Sequence, residues 1–113
     1  MTTKRYQIVA TAFDKRGKIL STAVNQYRKS HPLAKLYSVK AGLSEDRCYI
    51  HAELGAVLKA GESKVHKLLV QRFHNNGTLA NAKPCKSCQL MLKDFGVKKV
   101  VYTHEEGMKE YMV

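Results

Sequence analysis

The sequence predicts an α/β domain, and three observations predict it. Two short β-favouring runs are separated by a turn signal near the start of the chain. Two later segments place apolar residues at helical spacing. Each of those segments is followed by another β-favouring run, which gives the order β-β-α-β-α-β. With 113 residues the chain suffices for one compact unit with one core, so residues 1–113 are read as a single domain.

Residues 6–13 and 18–24 are the first two runs, and Asp14-Lys15-Arg16-Gly17 between them marks a hairpin turn. Residues 25–49 show little periodicity and read as a long connection with a short helix around Leu33 to Val39. From Ile50 to Ala60 the apolar positions Ile50, Leu54, Val57 and Leu58 recur at helical spacing, and Gly61 stands where a C-terminal cap belongs. Lys67 to Phe73 reads as a buried strand and Asn75-Asn76-Gly77 as a turn. Pro84 opens a second helix, with Cys88, Met91, Leu92 and Phe95 as its core stripe and Gly96 as its end. Lys98 to Tyr102 is a last strand, joined to the previous one as a parallel pair through a right-handed crossover. The tail from Thr103 is open between a short helix and a strand.

The composition excludes several classes. Hydrophobic residues at 44% and charged residues at 26% suit a globular protein rather than a disordered one. No stretch approaches the ~20 apolar residues of a membrane span, and no signal-peptide core follows Met1, so a cytoplasmic protein without membrane contact is expected. Three cysteines, an odd count, argue against a disulfide framework and for metal binding or free thiols. Lys plus Arg number 20 against 9 for Asp plus Glu, a net +11 that favours an anionic partner such as a nucleotide or nucleic acid. Residues 1–44 hold nine basic side chains and one acid, so the excess is concentrated there. The competing reading is a Lys-rich surface that keeps the protein soluble.

Two short motifs carry the chemistry. His51-Ala52-Glu53 falls at the start of the first long helix, and Pro84-Cys85-Lys86-Ser87-Cys88 at the start of the second. Cysteines three apart in a first helical turn lie on one face, close enough for both sulfurs to bind one ion at ~2.3 Å. The unpaired N–H groups and positive dipole end at a helix N-terminus favour thiolate over thiol. One imidazole and two thiolates are three protein ligands for Zn2+, and they leave the fourth tetrahedral position to water, as catalytic zinc sites do. Water so held has a pKa near 7, against 15.7 in bulk.

Together the two motifs form the His-x-Glu and Pro-Cys-x-x-Cys pair of zinc deaminases. Over residues 6–102 the chain resembles the cytidine deaminase superfamily, particularly its cytidylate, deoxycytidylate and tRNA-adenosine branch. The segment Asn25-Gln26-Tyr27-Arg28-Lys29-Ser30-His31-Pro32 is also similar to the matching loop of short bacteriophage-encoded deaminase-like proteins. The resemblance implies a three-layer α/β/α fold with a mixed sheet, on which both motif helices pack. It implies hydrolytic removal of the exocyclic amine from C4 of cytosine or C6 of adenine, with zinc on His51, Cys85 and Cys88 and with Glu53 moving the protons. Asn25 matches a substrate-binding position of the family. Ala52, Arg28 and Lys29 complete the candidate substrate contacts, the two cations meeting a phosphate if the substrate is a nucleotide. Relatives are commonly dimers or tetramers, so a homo-oligomer is expected.

Three functional readings stand side by side. The first is a deaminase of cytosine in a free nucleoside or nucleotide. The second is a deaminase of cytosine or adenine in single-stranded DNA or RNA, which the basic first 44 residues suit. The third is a basic zinc module that binds nucleic acid without catalysis, with Cys48 as fourth ligand closing the site. In that third reading Glu53 and Pro84 have no role. His31, His66, His74 and His104 lack motif partners and are assigned to no metal. Lys86 and Ser87, between the cysteines, are expected to face solvent rather than to touch substrate, and Tyr27, Tyr37 and Phe73 to stack on a base or to cover the core.

Overall fold

The Asp14 carboxylate organises the first hairpin: its Oδ1 accepts hydrogen bonds from the N–H groups of Arg16 and Lys18, both at 2.9 Å. Gly17 takes the positive φ of 86° that the turn needs. The turn joins β1 (Ile8–Phe13) to β2 (Ile19–Val24), and a bulge at Ala12/Phe13 absorbs one residue of register. This is a computed structural model, and it describes residues 7–25, 31–42, 51–61 and 64–113. The remaining elements are α1 (Pro32–Lys40), α2 (Ala52–Ala60), β3 (Lys67–Arg72), α3 (Lys86–Asp94), β4 (Lys99–His104) and β5 (Gly107–Met112). The short helix expected near residues 33–39 is α1. The tail, open between helix and strand, is a strand.

The five strands lie in the order β2-β1-β3-β4-β5, with β3 and β4 parallel and the other neighbours antiparallel. The parallel pair follows from the helix between its members, because a crossover returns the chain to the same sheet edge. The α/β class and mixed sheet are as expected. Of the two helical layers, the described residues supply one, against the face that carries Ala10, Ala12, Leu68, Val70 and Val100, all at 0% exposure. On the other face Val9, Thr11, Phe13, Leu69 and Val101 are only partly buried.

Small residues set the distance between α2 and the sheet. Ala10, Ala12 and Ala23 from the strands meet Ala52 and Ala56 from the helix, each nearly or fully buried, and the Ser21 hydroxyl donates to the Ala56 carbonyl. Larger side chains there would overpack the contact by about 1–3 kcal/mol. Larger residues fill the space under α3: Met91, Leu92 and Val97 are at most 2% exposed. Full burial of each such side chain stabilises by about 1.5–3 kcal/mol. Phe95, expected in this stripe, is 41% exposed. The helix ends at Asp94, Gly96 turns the chain at φ 79°, and Val97 takes the core position instead.

α1 begins at Pro32 behind His31, whose Nδ1 accepts from the Leu33 N–H at 3.0 Å, so this histidine is a helix cap. The Tyr37 hydroxyl then donates to Asp94 Oδ2 at 2.9 Å, which fastens α1 to the end of α3. No helix among the described residues is long and apolar enough to cross a membrane.

Candidate metal centre

A helix crossing back over a parallel pair starts at the end where the preceding strands finish. The starts of α2 and α3 therefore come together at one end of the sheet. His51 is the N-cap of α2 and Cys85 the N-cap of α3, both in extended backbone conformation. Neither makes a side-chain capping hydrogen bond, in contrast to His31 on α1. Pro84 lies one residue outside the cap of α3, rather than opening the helix as expected.

Cys85 at the cap and Cys88 three residues on stand where the two side chains of a capping box meet, and that geometry brings the sulfurs together. His51 Nδ1 lies 3.2 Å from Cys88 Sγ and 3.4 Å from Cys85 Sγ. The three ligand atoms fall within 4.8 Å of one another, so His51, Cys85 and Cys88 can hold one metal ion. Zinc fits them: one borderline nitrogen and two soft thiolates are a zinc donor set, whereas Mg2+ or Ca2+ requires oxygen.

The loop before α3 is held by Thr103, which is fully buried at the end of β4. Its hydroxyl accepts from the Arg72 N–H at 2.9 Å and donates to the Ala80 carbonyl at 2.8 Å, while its own carbonyl accepts from the Ala82 N–H. The Gln89 amide donates to the Pro84 carbonyl at 2.8 Å and pins the residue before the first cysteine. Ser87, expected to face solvent, is buried, and its Oγ sits 3.1 Å from Cys85 Sγ. Lys86 is exposed as expected. Thr103 did not stand out in the sequence, because a lone hydroxyl residue carries no spacing signal.

The two thiols are shifted in opposite directions. The hydrogen bond with Cys88, followed by those with His51 and Ser87, pulls the Cys85 thiol down to about 3 against the cost of burial. The partner sulfur moves the other way: the bond to Cys85, then burial, pushes Cys88 up. His51 is raised, first by its hydrogen bond to Cys85. Glu53, 4% exposed, has its carboxyl pushed up by burial, with the His51 charge opposing.

Helical phase alone would turn Glu53 away from His51. The conflict disappears because His51 is outside the helix, at ψ 157°. Beside His51 and Cys88 a cavity of about 20 Å³, lined also by Leu33, Tyr37 and Leu54, has room for about one water.

Asn25 directly follows β2, at the same end of the sheet, and its Oδ1 accepts from the Ile8 N–H at 2.9 Å. Ala52 is fully buried in the core. Arg28, Lys29, Tyr27 and Cys48 lie outside the described residues. Tyr37 is core, and Phe73 is 46% exposed.

In structure, the chain is similar to a point mutant of cytidine deaminase from Mycobacterium tuberculosis, with a TM-score of 0.51 and 18% identity, covering 93% of this chain and 72% of that one. At that identity the likeness is one of fold. No curated protein matches the sequence. The family model described as the cytidine and deoxycytidylate deaminase zinc-binding region matches residues 1–104. With that match spanning nearly the whole chain and the His51, Cys85 and Cys88 donors gathered for zinc, the protein belongs to the cytidine and deoxycytidylate deaminase zinc-binding family.

Proposed function

We propose that this protein is a zinc-dependent hydrolase that converts cytosine, in a nucleoside or nucleotide, to uracil and ammonia. The observation that carries the reading is the buried Glu53 carboxyl next to three clustered zinc donors. His51, Cys85 and Cys88 would hold the ion, which would supply the Lewis acidity that activates water. The rest of the reaction is proton movement. Water adds at C4 as its proton passes to Glu53, and Glu53 delivers a proton to the ring nitrogen. It then carries the remaining hydroxyl proton to the departing amine, so that ammonia leaves and a carbonyl remains.

Burial suits Glu53 to this task, because a carboxyl raised from its ordinary value holds a proton more readily and can still return it. A closed structural site would need no such buried acid. The first N–H groups of a helix lack partners within it, so the Ala52 N–H and the Asn25 amide are the proposed contacts to the substrate. Arg28 and Lys29 are the proposed contacts to a phosphate.

The test is mass spectrometry for amine-to-carbonyl conversion of cytidine, cytidylate, deoxycytidylate, adenosine, and single-stranded DNA and RNA. Zinc-loaded protein and the Glu53→Ala variant are compared. Conversion of a cytosine nucleoside or nucleotide that depends on Glu53 is the expected result. Conversion of the polynucleotides alone would reassign the substrate, and no conversion by folded, zinc-loaded protein would overturn the reading.

A further inference from the structure

Away from the cysteines, the chain builds a second concavity. The β1–β2 turn, the start of β3 and the approach to β4 line a solvent-open cavity of about 520 Å³ whose rim carries Lys15, Arg16, Lys64, His66 and Lys98. The one acid in its lining is Asp14, whose Oδ1 is engaged by the turn's own N–H groups. Lys15, Arg16, Lys64 and Lys98 are exposed, and none forms a salt bridge among the described residues. Four like charges around one hollow repel each other, and the arrangement is relieved by a multiply charged anion.

We propose that this cavity binds a compact oligophosphate, the triphosphate of a nucleotide or inorganic triphosphate itself. A bounded hollow of this volume is of the size that takes a compact ligand, whereas a polymer tracks an extended groove. Half-buried Leu20, in the same lining as the buried Val65, is the apolar wall on which a sugar or base can rest. The strands are six residues long, so this end lies roughly 20 Å from the cysteine end at about 3.3 Å per residue. A nucleotide at the zinc donors therefore does not reach it, and the site is independent of the zinc reading.

Equilibrium dialysis of the zinc-loaded protein at low ionic strength tests the proposal, with inorganic triphosphate, ATP and a short single-stranded oligothymidylate as probes. Both triphosphates should bind, and Lys15→Ala/Lys98→Ala should weaken them by about tenfold or more, since two charge-assisted contacts to phosphate are lost together. Lys83→Ala/Lys109→Ala, which removes the same charge elsewhere, should change the affinity by less than about twofold. Equal binding of the two triphosphates assigns recognition to the phosphates, and tighter binding of ATP adds the apolar wall. Equal losses in the two double variants, absence of triphosphate binding, or binding of the oligonucleotide alone would overturn it.

Discussion

The two ends of the sheet treat charge in opposite ways. At one end the ionisable groups are gathered inward: Glu53 and Cys88 are nearly inaccessible, and each shifts the other's proton affinity. At the other, Lys15, Arg16, Lys64 and Lys98 stand in solvent around an open hollow. Buried charge is costly unless something compensates it, so the cysteine end is specific for what it accepts. Exposed charge costs little and attracts at long range, so the basic end is tolerant and sensitive to salt. One scaffold thus separates a place for chemistry from a place for electrostatic capture.

Four variants press on that contrast. The largest effect belongs to Glu53→Gln, which should lower turnover about 10²- to 10⁴-fold, the usual worth of a positioned acid-base group, with zinc content unchanged by metal analysis. The same substitution should raise the melting temperature of metal-free protein at neutral pH. The folded-state pKa of Glu53 is raised, so its stabilising contribution is complete below the ordinary value of 4.5 and lost as pH rises through the higher one. Glutamine stays neutral throughout.

Ser87→Ala comes next. Removing the hydroxyl beside Cys85 should weaken zinc about 10- to 100-fold in a chelator competition, as loss of a supporting contact to a ligand does. Unchanged affinity would reduce Ser87 to packing.

A smaller signal is expected from Tyr111 on β5. Burial, with the Glu53 and Cys88 charges adding, pushes its hydroxyl up to about 12. In metal-free protein the tyrosinate absorbance at 295 nm should therefore contain a late component near pH 12 that Tyr111→Phe removes. Stability from this group is complete below its ordinary value of 10.0 and lost as pH rises through about 12.

The smallest effect is the sharpest check on the separation of the two ends. Lys15→Ala/Lys98→Ala should leave turnover of a nucleoside within about twofold and unfolding free energy within about 0.5 kcal/mol, as exposed substitutions do.

How far the sequence was legible follows from how local each signal is. The hairpin, α2, α3 and the parallel strands rest on periodicity and turn residues, and Gly61 and Gly96 end their helices as expected. The donor set was legible because spacing at a helix start is enough to bring Cys85 and Cys88 together. β5 was ambiguous because its sequence Gly-Met-Lys-Glu-Tyr-Met alternates weakly and most of its side chains are exposed, as befits an edge strand. Phe95 fits the apolar spacing of α3, but spacing cannot reveal that the helix ends one residue earlier. The burial of Ser87 and the approach of Glu53 to His51 depend on cap geometry, which no residue count contains.

The uncapped starts of α2 and α3 have a consequence for how this protein can change. A good capping side chain at either place is worth about 0.5–2 kcal/mol, and His51 and Cys85 forgo it. Cys85→Ser or His51→Asp would therefore make the metal-free chain sturdier as it removed a ligand. Robustness and metal affinity draw on the same two positions in opposite senses, so a lineage released from catalysis has a downhill path away from zinc.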